Sequence, residues 1–224
     1  MSTGTRVVVA IDGPAGSGKS TVARGVADAL GLATLDTGAM YRAVTLAALE
    51  AGLALDDGDR VAALADTLVL DLADGAARVA GRDVSSEIRG PEVTGSVSTV
   101  ANQPPVRAVL VRRQREWVAE HGGGVVEGRD IGTVVLPDAT VKVFLTARAD
   151  VRAERRRRDE AAADRDADVE SVQAALGTRD RADASLGRAL RPEDAAADAL
   201  VIDTSGLSAD EVVARIVARA RMTS

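Results

Sequence analysis

The stretch DGPAGSGKST at residues 12–21 follows the apolar run VVVAI and leads into a helical stripe of Val22, Val26, Ala29 and Leu30. A strand that turns through glycines into a helix gathers backbone N–H groups at the helix start. The helix dipole adds partial positive charge there, and the resulting concavity holds phosphate. The spacing fits G-x-x-x-x-G-K-[ST], with Gly13, Gly18, Lys19 and Ser20 at the fixed positions. Gly13, Pro14, Ala15, Gly16, Ser17 and Gly18 are therefore expected to form the cradle and Lys19 to reach the β and γ phosphates. Ser20 is expected to offer its hydroxyl to Mg²⁺, as the metal ligand, and Thr21 to donate to the α phosphate. The implied ligand is a nucleoside triphosphate with Mg²⁺.

Five short segments rich in β-branched residues recur along the chain: 6–12, 33–36, 124–128, 141–145 and 199–203. Most are followed by a helical pattern, such as Met40, Val44, Ala47 and Ala48, or Val212, Val213, Ile216 and Val217. Continuously apolar strands alternating with helices imply a five-stranded parallel sheet covered on both faces, an α/β P-loop fold of three layers. The stretch 52–103 breaks this rhythm. Two alternating runs flank Asp74-Gly75, a type I′ hairpin signal, and RDVSSEI offers a third short strand. A helical stretch follows at 91–101, and the prolines of NQPP start another helix at 106–120. The expected organisation is a core of residues 1–51 and 104–224, a small antiparallel module at 52–103, and a helical lid at 152–170.

Composition narrows the chemistry. With 224 residues, 46% of them hydrophobic, the chain can build one full core. No apolar run approaches the roughly 18 residues of a membrane span, and MSTGTR lacks a signal-peptide core, so a cytoplasmic protein is expected. Cysteine is absent and His121 is the one histidine, which excludes disulfides, thiolate metal sites and a histidine metal cluster. A net charge of −6 argues against broad nucleic-acid binding. The basic cluster RAERRRR at 152–158 reads equally as a solvated helix face or as a functional group of arginines.

A cradle fixes the donor and leaves the acceptor open. N-K-x-D, the guanine signature, is missing, as is L-S-G-G-Q of transporter ATPases. Asp36, Thr37 and Arg42 follow the second strand segment, while Arg129 and Asp130 follow the third, at the carboxyl rim where open α/β sheets bind ligands. Guanidinium forks match phosphate, which suggests an acceptor that is itself a phosphate ester. Such an acceptor, with a second pKa near 6, needs no general base, so one histidine suffices. The residues alone leave open a kinase for another small phosphorylated metabolite, or a non-catalytic module that senses ATP.

Taken together, IDGPAGSGKST, LDTGAMYR, LVRRQREW and EGRDIGTVVLPDA resemble the bacterial cytidylate kinases, over essentially the whole chain. The resemblance implies a nucleoside monophosphate kinase that transfers the γ-phosphoryl group of ATP to CMP or dCMP, with Mg²⁺. It implies that Thr37 and Arg42 line the acceptor site, that Arg42 and Arg129 grip the CMP phosphate, and that Ser98, Arg107 and Asp130 recognise cytosine. Arg179 and Asp183 match a ribose-contacting pair. Arg152, Arg155 and Arg156 fall where the lid begins and become candidates for neutralising the migrating phosphoryl, with Lys19, Arg42, Arg129 and Arg156 as the catalytic set. One region departs: Leu186 stands where an arginine is expected and Arg188 comes two residues later. Either a small insertion lets Arg188 reach the phosphate, or that contact is lost, or Arg181 or Arg191 supplies it. The expected partners are ATP and CMP or dCMP alone, with neither nucleic acid nor membrane, and the chain acting as a monomer.

Overall fold

The computed structural model describes residues 7–73, 75–161, 173–174, 177–178, 180–181 and 191–223. Its central feature is a five-stranded parallel sheet in the order β2-β6-β1-β7-β8, formed by β1 (Val8–Asp12), β2 (Thr34–Asp36), β6 (Gly124–Gly128), β7 (Val141–Thr146) and β8 (Leu200–Asp203). All five apolar segments read from the sequence become these strands. The inner strands are buried almost residue by residue, as a sheet covered on both faces demands. Register pairs Ile11 with Val143 and Phe144 with Val201. The edge strand β8 alternates instead, leaving Val201 partly exposed.

The chain divides into two compact units, residues 1–32 with 125–224, and residues 33–124. In the first unit, helix α1 (Lys19–Leu30) ends on Gly31, whose left-handed φ of 66° lets its N–H close on Ala27 and Asp28 carbonyls. Its buried face is Val22, Ala23, Val26 and Ala27, one step round from the stripe expected, so Ala29 faces solvent. Helix α6 (Ala149–Ala161) follows β7, and α7 (Ala209–Thr223) closes the chain. Ser208 and Glu211 cap α7 reciprocally, each backbone N–H bonding the other's side chain. Val9, Ile11, Val26, Val125, Val143, Leu145, Ile202 and Ile216 make one continuous core cluster.

In the second unit, Asp36 caps α2 (Thr37–Glu50) by accepting from the Ala39 amide at 2.9 Å. A helix not foreseen, α3 (Gly58–Thr67), is capped by Asp57. Pro91 and Pro104 open α4 (Pro91–Ala101) and α5 (Pro104–Glu120), where a missing N–H costs nothing. The small antiparallel sheet is present as β3 (Leu70–Asp71), β4 (Arg78–Val79) and β5 (Arg82–Asp83). Its tight two-residue turn lies at Ala80-Gly81, both with positive φ (48° and 82°), between β4 and β5. The connection through Gly75 is wider, and Asp74 lies outside the described residues. Ala80 holds its strained conformation while donating to the Val69 carbonyl at 2.9 Å.

Phe144 is fully buried on β7, the one aromatic side chain so placed. Phe144→Ala should cost about 3–5 kcal/mol of unfolding free energy in a urea titration. A change at exposed Ala29 to serine should stay within about 0.5 kcal/mol.

Candidate active site

The loop between β1 and α1 closes as its motif requires. A Cβ at Gly13, where φ is 147°, would lie 2.1 Å from the Leu145 carbonyl oxygen. At Gly16, with φ 75°, it would lie 2.8 Å from the Arg152 carbonyl oxygen. Only glycine fits either place. Lys19, at the first position of α1, turns its ammonium back to donate to the Pro14 carbonyl at 2.9 Å. The Ser17 amide bonds the same carbonyl at 3.3 Å, which tightens the turn.

Two carboxylates at strand ends complete the floor of this unit, and neither was singled out from the sequence. Glu127, buried at the end of β6, accepts from the Ser20 hydroxyl. Asp12, at the end of β1, accepts from the amides of Ile131 at 2.7 Å and Gly132 at 2.8 Å, one on each oxygen. It therefore holds the π-helical turn Ile131–Val135 that follows Arg129 and Asp130. Burial pushes its carboxyl up from 3.8 to about 6; the Gly132 and Ile131 amides oppose the rise, Asp130 adds to it and Lys19 opposes it. The sequence signal for both was an acidic residue at the carboxyl end of an otherwise apolar strand.

Of the expected residues in this unit, Gly13 through Ser20 form the loop, while Ser20 and Thr21 stand exposed on its helix side. Arg129 is half-buried and Asp130 buried, directly after β6. The arginine cluster of α6 divides. Arg157 and Arg158 both pair with Glu154, the pattern of a solvated face, whereas Arg156, its side chain 29% exposed, pairs with Glu160, whose side chain is 13% exposed. Arg152 instead donates to the Ala15 carbonyl at 3.2 Å and to Asp180 at 2.7 Å. Arg155 donates to the Ser17 carbonyl at 3.4 Å and to the Thr204 hydroxyl and carbonyl at 2.8 and 2.7 Å. Arg179, Asp183 and Arg188, with Leu186 and lid residues 162–170, lie outside the described residues. Arg181 bonds Thr178, and Arg191 pairs with Glu193 and Asp194.

In the second unit, Thr37 is buried at the first position of α2. Arg42, on the same helix, donates to the Ile88 carbonyl at 3.2 Å and to the Thr94 hydroxyl at 2.9 Å. Thr94 and Ser98 are four residues apart on α4 and share a face, so Arg42 reaches the side of α4 that carries half-buried Ser98. Arg107 is half-buried near the start of α5. His121 caps the other end of α5, its Nδ1 2.8 Å from the Trp117 carbonyl and its ring stacked on Trp117 at 4.1 Å.

A sequence-family model of cytidylate kinase matches residues 9–222. The chain belongs to the cytidylate kinase family. A cytidylate kinase of Mycobacterium avium is 52% identical over 211 residues, 92% of each chain. One from Desulforamulus reducens is 50% identical over 212 residues, 93% of this chain and 94% of the other. Among solved structures, an uncharacterized protein from Eubacterium ventriosum shares the fold at a TM-score of 0.57 and 11% identity, covering 97% of this chain and 99% of its own. Among the described residues of this family member, no helix is long and apolar enough to cross a membrane.

Because folding raises the Asp12 pKa, the folded chain holds a proton there between about pH 4 and 6 that the unfolded chain has released. The stability linked to that proton is fully present below pH 3.8 and is lost as pH rises through about 6. Carboxyl-carbon NMR should find one aspartate ionising near pH 6, and Asp12→Asn should remove both that titration and its share of the stability slope.

Proposed function

We propose that the chain transfers the γ-phosphoryl group of ATP to CMP or dCMP, giving CDP or dCDP and ADP. What carries this reading is a cytidylate kinase match from residue 9 to 222 across a closed phosphate loop with Lys19 and Ser20 in place. On it, residues 13–21 bind the ATP phosphates, and Lys19 moves from the Pro14 carbonyl to the β and γ oxygens. The acceptor is held by Thr37, Arg42 and Arg129 at its phosphate side and by Ser98, Arg107 and Asp130 at its base. Arg179, Asp183 and Arg188 serve its ribose and phosphate, and Arg156 the migrating group. Residues 52–103 act as the monophosphate-binding module.

The residues present fit Mg²⁺. Among the described residues no group of three or more acidic or histidine side chains could hold a metal by itself. Ser20 and Glu127 nevertheless bring a hydroxyl and a carboxylate together beside the loop. That is the donor set for an ion that keeps most of its shell as phosphate oxygens and water. When bound, the ion supplies charge neutralisation to the triphosphate. The remaining chemistry is positional. A phosphate monoester is already mostly ionised at pH 7, so no side chain has to remove a proton. Accordingly the one histidine is stacked on Trp117 at a helix end. Asp130 as acceptor for the cytosine amino group would face a carbonyl in uracil, which separates the two bases.

The test is a coupled assay with CMP, dCMP, UMP and AMP. CMP or dCMP should be turned over best; equal or better turnover of AMP refutes the reading. Lys19→Ala should lower kcat by about 10²-fold or more, since it loses a contact to charge that moves during transfer. Asp130→Ala should narrow the preference for CMP over UMP.

A further inference from the structure

The sequence reads the α6 arginines either as a solvated face or as candidates for the migrating phosphoryl, and the structure gives Arg155 a further set of partners. Its Nη1 donates to the Ser17 carbonyl at 3.4 Å and to the Thr204 hydroxyl at 2.8 Å, and its Nη2 to the Thr204 carbonyl at 2.7 Å. The Thr204 hydroxyl itself reaches the Ser17 carbonyl at 3.1 Å. Thr204 is buried just beyond β8 and is tied to the neighbouring strand, its amide 2.8 Å and its hydroxyl 3.1 Å from the Thr146 carbonyl. A line of bonds thus runs from the end of β7, through Thr204, to one carbonyl of the phosphate loop.

We infer that Thr204 and Arg155 are positioning residues of the phosphate cradle, holding the Ser17 carbonyl so that the Gly18 N–H faces the triphosphate. The reason is peptide geometry. In a planar trans peptide the carbonyl of one residue and the N–H of the next point in opposite directions. Fixing the Ser17 carbonyl on Thr204 and Arg155 therefore fixes the Gly18 N–H on the opposite side. Left alone, this peptide would not hold that orientation well. Gly18 sits at φ 93°, and glycine accepts the alternative sign of φ at little cost. The residue that lets the nest form also lets the peptide flip, and a flipped peptide would present a carbonyl oxygen to an anion. The guanidinium also packs near Gly18, 3.8 Å from where a Cβ would lie. A cationic donor on the carbonyl further polarises the peptide, which strengthens its N–H as a donor.

This inference rests on the reading of the loop as an ATP cradle, and the experiment separates the two. Calorimetric titration of the full chain with Mg-ATP and, separately, with CMP gives two affinities for each variant. Thr204→Val keeps the shape and removes the hydroxyl; it should weaken ATP about tenfold and leave CMP within about twofold. Thr204→Ser should restore ATP affinity, and Arg155→Lys, which keeps charge and loses the fork, should show the Thr204→Val pattern more mildly. ATP affinity unchanged in Thr204→Val overturns the inference. So does a loss that Thr204→Ser fails to rescue, because that marks packing and not the hydroxyl. Wild-type protein that binds no ATP removes the cradle reading itself, and the inference with it.

Discussion

A loop that turns its N–H groups toward an anion must find other partners for its carbonyls, and this requirement organises the first unit. The Pro14 carbonyl goes to Lys19 and the Ser17 amide, and the Ala15 carbonyl to Arg152. The Ser17 carbonyl goes to Thr204 and Arg155, and the Gly18 carbonyl to the first turn of α1 through Val22. Buried backbone acceptors are rarely left unmet, so these partners are a condition for the loop's shape. Those of the Ala15 and Ser17 carbonyls arrive from α6 and from the end of β8, far apart in sequence. That dependence ties the last strand and helix α6 to a motif of a few residues near the chain's start.

The basic residues divide by chemistry. The chain has two lysines, Lys19 and Lys142. Lys142 is held by both oxygens of Asp198, at 3.0 and 2.9 Å, and stands beside Gly132. Lys19 sits inside the loop, where a slender point charge can thread beside a bound triphosphate and a planar guanidinium would be too broad. Arg155 takes a place that needs a fork, its Nη1 and Nη2 meeting two groups of Thr204, while Arg42 bridges the Ile88 carbonyl and the Thr94 hydroxyl through Nη1. An overall charge of −6 is compatible with anion binding because the cations act locally and at short range.

Much of this was legible because the constraints are local. Parallel strands buried on both faces show as apolar runs, and all five were found where the runs lie. The cradle was legible because its glycines are sterically required. Less visible were features set by tertiary partners. Helix α3 is an exception, because Val61, Ala62 and Ala65 keep a helical spacing after the Asp57 cap and could have been read from the sequence. The tight turn at Ala80-Gly81 was missed because alanine seldom adopts positive φ, whereas Asp74-Gly75 fits the turn rule and lies in a wider connection. The five arginines of this cluster, Arg152, Arg155, Arg156, Arg157 and Arg158, look alike in the sequence. Only their partners separate them: Ala15, Ser17 and Thr204 for the loop-holding Arg152 and Arg155, Glu154 for Arg157 and Arg158 on the solvated face, and Glu160 for half-buried Arg156.

On the proposed function none of the parts has to attack phosphorus: both oxygens of Asp12 accept backbone amides and Glu127 accepts from the Ser20 hydroxyl. The loop, Lys19, the arginines and the two strand-end carboxylates hold charge and geometry, which implies one direct in-line transfer from donor phosphate to acceptor phosphate. Direct transfer inverts configuration at the migrating phosphorus. ATP made chiral at its γ phosphorus with oxygen isotopes and sulfur, incubated with CMP, should give CDP with inverted configuration at the β phosphorus. Retention would require a phosphorylated side chain between two displacements, and would contradict a site built only to position its substrates.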